Sequence, residues 1–200
     1  MRVGATFDEI LKQFPKEVRL VFKMHPLPMH QSAMIAAQGA LAAQKQGKFL
    51  EMHKKLYESM SSLSRDKVFE VAKGLGLDMD RFGKDVESPE IKAQIEKEAK
   101  EAMDIGATGT PAAFVNGRYV SGAKPAAFFA DMINEELKWA REKSRPTFTV
   151  GKHVRETMPP QAQKPQGPDP NKVYDIPAGN APFVGSANAK VTILHYLDYQ

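Results

Sequence analysis

A mixed α/β fold is what this 200-residue sequence predicts, on three observations. Two runs, Val18-Arg-Leu-Val-Phe-Lys-Met24 and Val191-Thr-Ile-Leu-His-Tyr-Leu-Asp-Tyr-Gln200, are apolar and β-branched enough to be sheet strands. A third stretch, Ala113-Phe-Val-Asn-Gly-Arg-Tyr-Val120, sets two apolar segments on either side of Asn116-Gly117, a pair suited to the positive φ values of a type I′ turn. From residue 31 to about 105 the apolar residues instead recur at helical spacing.

In chain order, an amphipathic helix is expected from residue 5 or 6 to Phe14, followed by the strand at 18–24. That strand runs into His25-Pro-Leu-Pro-Met-His30, where two prolines forbid a continuing ladder and imply an ordered loop. Gln31 to Lys45 is rich in alanine, the best helix former. After Gly47, Phe49, Met52, His53, Leu56 and Tyr57 fall at i, i+3, i+4, i+7 and i+8, giving a second helix of this group one apolar face. A third opens at Ser64 and is closed by Gly74 and Gly76, and Asp78 to Val86 makes a short fourth. Pro89 sits near the start of a long charged fifth, ending at Gly106, with Ile91, Ile95, Ala99 and Ala102 as its buried stripe. Beyond the hairpin, Lys124 to Lys143 is an amphipathic helix holding the only tryptophan, Trp139.

Residues 144–188 hold eight of the 14 prolines, a composition that favours extended, solvated chain and reads as a linker. As a flexible coil its ~45 residues would reach on the order of 40 Å, enough to carry the last strand back across a small domain. Val173 to Ile176 is expected as a short edge strand within it.

Bulk properties narrow the function classes. The 28 basic and 24 acidic residues are scattered, with no arginine-rich arm or aromatic-spaced basic stripe, so nucleic-acid binding is not expected. The absence of cysteine excludes disulfides, thiolate metal sites and thiol catalysis by this chain. His25 and His30 lack a third ligand at metal spacing, so no metal and no cofactor is expected. No apolar run approaches the ~20 residues of a membrane span, and the first residues lack a signal-peptide core.

Thr108-Gly-Thr-Pro-Ala-Ala-Phe-Val-Asn-Gly-Arg-Tyr-Val-Ser-Gly122 resembles the hairpin of the DsbA-like thioredoxin-fold disulfide oxidoreductases. Val18 to His30 resembles that family's strand and proline-rich loop, Gln46-Gly-Lys-Phe49 its helical insertion, and Lys190 to Gln200 the strand leading into its active site. The resemblance covers about 185 residues and implies a thioredoxin-like α/β fold with an all-helical insertion at about 31–105. It also implies a Cys-x-x-Cys directly after Gln200, followed by a helix whose start resembles Arg2-Val3. The chain therefore reads in circularly permuted order, or as the stretch between successive active sites of a tandem protein. About four residues are missing at the junction. The expected organisation is a core at 1–143, the linker at 144–188 and a core strand at 189–200, which completes the sheet within the chain or by strand exchange in a homodimer.

No catalytic residue is present on this reading. The resemblance implies that Pro111 is cis and that the Thr110 backbone pairs with an extended peptide; from sequence alone a trans proline starting a strand is the other reading. His195 occupies the place of a buried acidic proton shuttle in the family, and a packed core histidine explains it equally. Asp198 and Gln200 match the polar residues just before the motif, and strand-end polarity accounts for them as well. Three functions follow: a thiol:disulfide oxidoreductase scaffold inactive as written, a noncatalytic peptide-binding module using the Pro111 groove, and a kappa-transferase-like glutathione-dependent enzyme for which Thr6 is a poor candidate. The expected partners are extended or thiol-containing polypeptides. The resemblance implies the bacterial periplasm or cell envelope, while the sequence as written carries no export signal and would stay in the cytoplasm.

Overall fold

A computed structural model describes residues 2–142 and 167–199, with the side chains of Arg2 and Val3 excluded. Five strands form one sheet in the order β3-β2-β5-β1-β4, with β1 at Val18–Met24, β2 at Ala112–Val115, β3 at Arg118–Ser121, β4 at Phe183–Gly185 and β5 at Val191–Leu197. β1 and β5 are buried at every position but the second, as strands covered on both faces must be. They run in the same direction: Val191 N–H donates to Glu17 C=O at 2.9 Å, and His25 N–H to Leu197 C=O at 2.9 Å. β5 thus sits in the sheet of its own chain.

By its contacts the chain divides into two compact units, Met1–Phe22 with Met103–His195, and Lys23–Ala102 with Tyr196–Gln200. In the first, α1 (Arg2–Gln13) buries Phe7 and Ile10, and Phe7 meets Phe129 of α7 (Ala126–Glu142) edge to face at 5.1 Å. The hairpin pairs Ala113 with Val120 and Phe114 with Tyr119, and its turn has positive φ at both Asn116 (46°) and Gly117 (84°). Asn116 ties the turn to β5. Its N–H donates to Thr192 C=O, its side-chain oxygen accepts from Thr192 N–H, both at 2.8 Å, and its amide nitrogen donates to Glu136 at 2.9 Å.

The second unit holds the helical insertion, with α2 (Ala33–Gln44), α3 (Phe49–Glu58), α4 (Arg65–Gly74), α5 (Met79–Val86) and most of α6 (Pro89–Asp104), plus a 3₁₀ turn at Met60–Ser62. α2 is apolar nearly all round, as a helix enclosed by others should be. Gly39 permits that closeness, since a Cβ there would lie 2.4 Å from Val68 Cγ1. Ser64 and Asp78 cap α4 and α5 by accepting from the N–H groups of Lys67 and Arg81.

Three local expectations change. α1 begins at Arg2 rather than at residue 5 or 6, a full turn earlier. Phe183–Gly185, inside the stretch expected to be linker, is strand β4, antiparallel to β1 with Leu20 opposite Val184. Val173–Ile176 makes only a single bridge, Val173 with Arg118, and Pro177 has no N–H to extend it. Residues 144–166 of the expected linker, and Lys143 before it, lie outside the described residues.

Candidate functional site

In the first unit, α6 ends in a turn whose Thr108 N–H donates to Gly106 C=O at 2.9 Å, and Thr110-Pro111 then leads into β2. The Thr110–Pro111 peptide is cis, both residues are half-buried, and the Thr110 backbone makes no hydrogen bond to another described residue. His195, on β5, is buried, with its ring edge-on to Phe7 at 5.1 Å and to Phe22 at 6.4 Å. α1 supplies that packing because Phe7 lies on its apolar stripe.

In the second unit, Asp198 follows β5 immediately and its side chain is fully enclosed. Its Oδ2 accepts from Leu27 N–H at 3.1 Å and meets His30 Nδ1 at 2.5 Å. Pro26 and Pro28 have no N–H, so the stretch between them offers only that of Leu27, and the carboxylate takes it. Tyr57 of α3 donates its hydroxyl to Asp198 C=O at 2.8 Å, and His53, one turn earlier, lies 3.1 Å from the Tyr199 hydroxyl. Burial drives the His53 imidazole down to about 4, so it is neutral at physiological pH. Burial, then the Asp198 charge, pushes the Tyr57 phenol well above its usual range, and burial does the same to Tyr199. Both phenols stay protonated, and Tyr57 donates.

A second buried polar group lies behind Tyr196. Lys23 is 3% exposed and pairs with Glu101 at 3.1 Å, and Glu101 also accepts from the Tyr196 hydroxyl. Glu98 accepts from Met24 N–H at 2.6 Å and from Gln94 at 3.1 Å, and burial raises its carboxyl above the ordinary glutamate value. The two α6 carboxylates accept from the ends of both strands, Glu98 from Met24 of β1 and Glu101 from Tyr196 of β5.

Of the residues singled out from sequence, Thr110, Pro111 and His195 fall in one unit and Asp198 in the other, while Gln200 lies outside the described residues. Asp198 is joined to His30, which sequence reasoning weighed only as a metal ligand. No group of three or more His, Asp or Glu side chains suited to a metal occurs among the described residues. His53, Tyr57, Lys23 and Glu101 were missed. Their amphipathic spacing signals a buried helix face or strand and says nothing of partners more than 75 residues away.

A family model described as a DSBA-like thioredoxin domain matches residues 4–134. The chain belongs to that family. A thioredoxin-like oxidoreductase from Silicibacter pomeroyi has the same fold, with a TM-score of 0.50 and 22% identity over 62% of this chain and 89% of its own. A Na(+)/H(+) antiporter NhaA of Herminiimonas arsenicoxydans is 29% identical over 142 residues, 71% of this chain and 22% of its own length. An antiporter NhaA 3 of Salinispora tropica is 36% identical over 102 residues, half of this chain and 16% of its own. The chain thus spans about a fifth of the length of the curated relatives it matches. Among the described residues no helix is long and apolar enough to cross a membrane.

Proposed function

We propose that this DsbA-like domain is the scaffold of a thiol:disulfide oxidoreductase and contributes the polypeptide-binding part of that reaction. With no cysteine in the sequence, this chain itself runs no exchange. The observation that carries the reading is the Thr110 backbone, half-buried at the entrance to β2 with its N–H and C=O unclaimed by any described residue. An extended peptide supplies the missing partners by short β-augmentation, and Pro111, lacking an N–H, offers no competing donor. The two phenyl rings against His195 favour a packed core histidine over a proton shuttle. Such exchange belongs to an oxidising compartment such as the periplasm.

Titration with an extended peptide, followed by amide chemical shifts, tests the binding step. The Thr110 and Ala112 amides are expected to shift saturably, and unmoved resonances there defeat the reading. Joining two copies through Gln200-Cys-x-x-Cys-Met1 tests the redox step. Insulin reduction at the cysteine-free background rate rules out the oxidoreductase scaffold and leaves the peptide-binding module.

A further inference from the structure

A cavity of about 440 Å³ opens in the first unit, on the face of the sheet that carries Arg19, Thr192 and Leu194, and the segment Val173–Ile176 forms its opposite wall. That volume is within the roughly 300–1,000 Å³ of small-molecule sites. Arg19 is the second residue of β1 and half-buried; its Nε donates to Thr192 Oγ1 at 2.9 Å, which fixes the plane of the guanidinium. Its terminal nitrogens form no ion pair with any described carboxylate, although the chain holds 24 acidic residues. Other polar groups on the walls are spent: the Asn116 side chain binds Glu136, Lys190 C=O and Thr192 N–H, and Tyr174 N–H donates to Gly117 C=O.

We infer that this cavity binds a small α-carboxylate ligand, a free amino acid or the C-terminus of a short peptide, with Arg19 as its anchor. A guanidinium held by one edge and open at the other presents the two parallel donors that a carboxylate accepts. The net charge of the walls selects the class. Asp175 also lines the cavity and is unpaired among the described residues, so a multiply charged anion such as phosphate is repelled, while a ligand that carries an ammonium group as well as its carboxylate, a free amino acid or an unblocked short peptide, is favoured. The site is independent of the proposed peptide contact at Thr110, and either assignment stands if the other fails.

The test is amide chemical-shift titration with alanine, Ala-Ala, N-acetyl-Ala-Ala, Ala-Ala-amide and inorganic phosphate. Saturable shifts of the Gly117, Tyr174 and Thr192 amides are expected with Ala-Ala, and blocking its carboxylate as the amide weakens binding about tenfold or more, the worth of one charge-assisted contact. Binding of alanine at equal affinity assigns the free amino acid, and its weaker binding assigns the peptide terminus. Arg19→Gln loses about tenfold or more, and Arg19→Lys less. Thr192→Val keeps the charge but frees the guanidinium, and an intermediate loss is expected while the dispersed spectrum is retained. Phosphate binding more tightly than Ala-Ala, equal binding of the amide, or an Arg19→Gln protein that is folded and binds unchanged each overturns the inference.

Discussion

Where residues 2–22 and 103–195 pack, the buried rings include Phe7, Phe14, Phe22, Phe114 and Phe129, with His195 enclosed among phenyl groups. Where residues 23–102 and 196–199 pack, the buried set includes Lys23, His25, Glu98, Tyr196, Asp198 and Tyr199. The same two strands serve both regions, so the contrast is not one of strand chemistry. Aromatic packing dominates the first region, as where Phe7 meets Phe129 edge to face at 5.1 Å, and its hydrogen-bonded exception is Asn116 with Glu136 and Thr192. Hydrogen bonds decide the second, because Asp198 Oδ2 reaches Leu27 N–H and His30 only at one register of β5 against β1.

The largest expected effect breaks that contrast at Glu101. Glu101→Ala leaves the Lys23 ammonium, 3% exposed, without its paired carboxylate and removes the acceptor of the Tyr196 hydroxyl. A loss of about 3–5 kcal/mol in urea unfolding is expected, and Lys23→Met with Glu101→Leu together should recover most of it. In the aromatic region Phe129→Ala costs a comparable ~3–5 kcal/mol by leaving a cavity, and no partner substitution of this kind restores it. A double variant no better than Glu101→Ala would mean that the ion pair does not organise this region.

Acid stability separates the regions next. His53 titrates near 4 in the folded protein and at about 6.5 when unfolded, so below pH 6.5 the unfolded chain takes up a proton that the folded one refuses. Stability therefore falls between pH 6.5 and 4, by on the order of 3 kcal/mol from this group, and levels off below. Glu98 acts with the opposite sign: its raised carboxyl withdraws stability as pH climbs past the ordinary glutamate range. Subtracting the profile of His53→Phe isolates the histidine. An unaltered slope between pH 6.5 and 4 in that variant would place His53 in contact with water.

How much of this was readable beforehand follows the range of the interactions. The hairpin was legible because Asn116-Gly117 encodes its turn locally, and α2 to α6 because their caps, glycines and apolar stripes lie within each segment. β4 was hidden: three residues next to Pro182 carry no alternation, and their strand state comes from pairing with β1 more than 160 residues earlier. Asp198 was legible as a polar residue at a strand end, yet His30 lies 168 residues away and no local pattern links them. The family resemblance located Thr110 and Pro111 through a contiguous motif, a signal that a dispersed network of single side chains never has.

Two glycines, one in each region, differ by a smaller cost. Gly47 and Gly117 both have positive φ, 72° and 84°. Nothing lies within 4 Å of a Cβ built on Gly47, whereas on Gly117 it would stand 2.1 Å from Tyr174 C=O. Gly47→Ala should cost only the left-handed backbone, about 1–2 kcal/mol, and Gly117→Ala a further ~1–3 kcal/mol as the 173–174 segment is displaced. Equal thermal shifts for the two would show that this segment yields freely.

The smallest effect turns on two serines that look alike in sequence. Ser32 and Ser64 each precede a helix, but Ser64 Oγ accepts from Lys67 N–H at 3.1 Å, while Ser32 Oγ donates to Leu63 C=O at 2.7 Å. Ser64→Ala should cost about 1 kcal/mol, and Ser64→Asp should restore it, because a carboxylate accepts from the helix N–H groups and favours the positive end of the dipole. Ser32→Ala should cost a similar ~1 kcal/mol through the lost donor, but Ser32→Asp sets a carboxylate against a carbonyl oxygen and cannot rescue it. Thermal melts of the four variants decide between the roles, and rescue at position 32 would make that serine an ordinary helix cap.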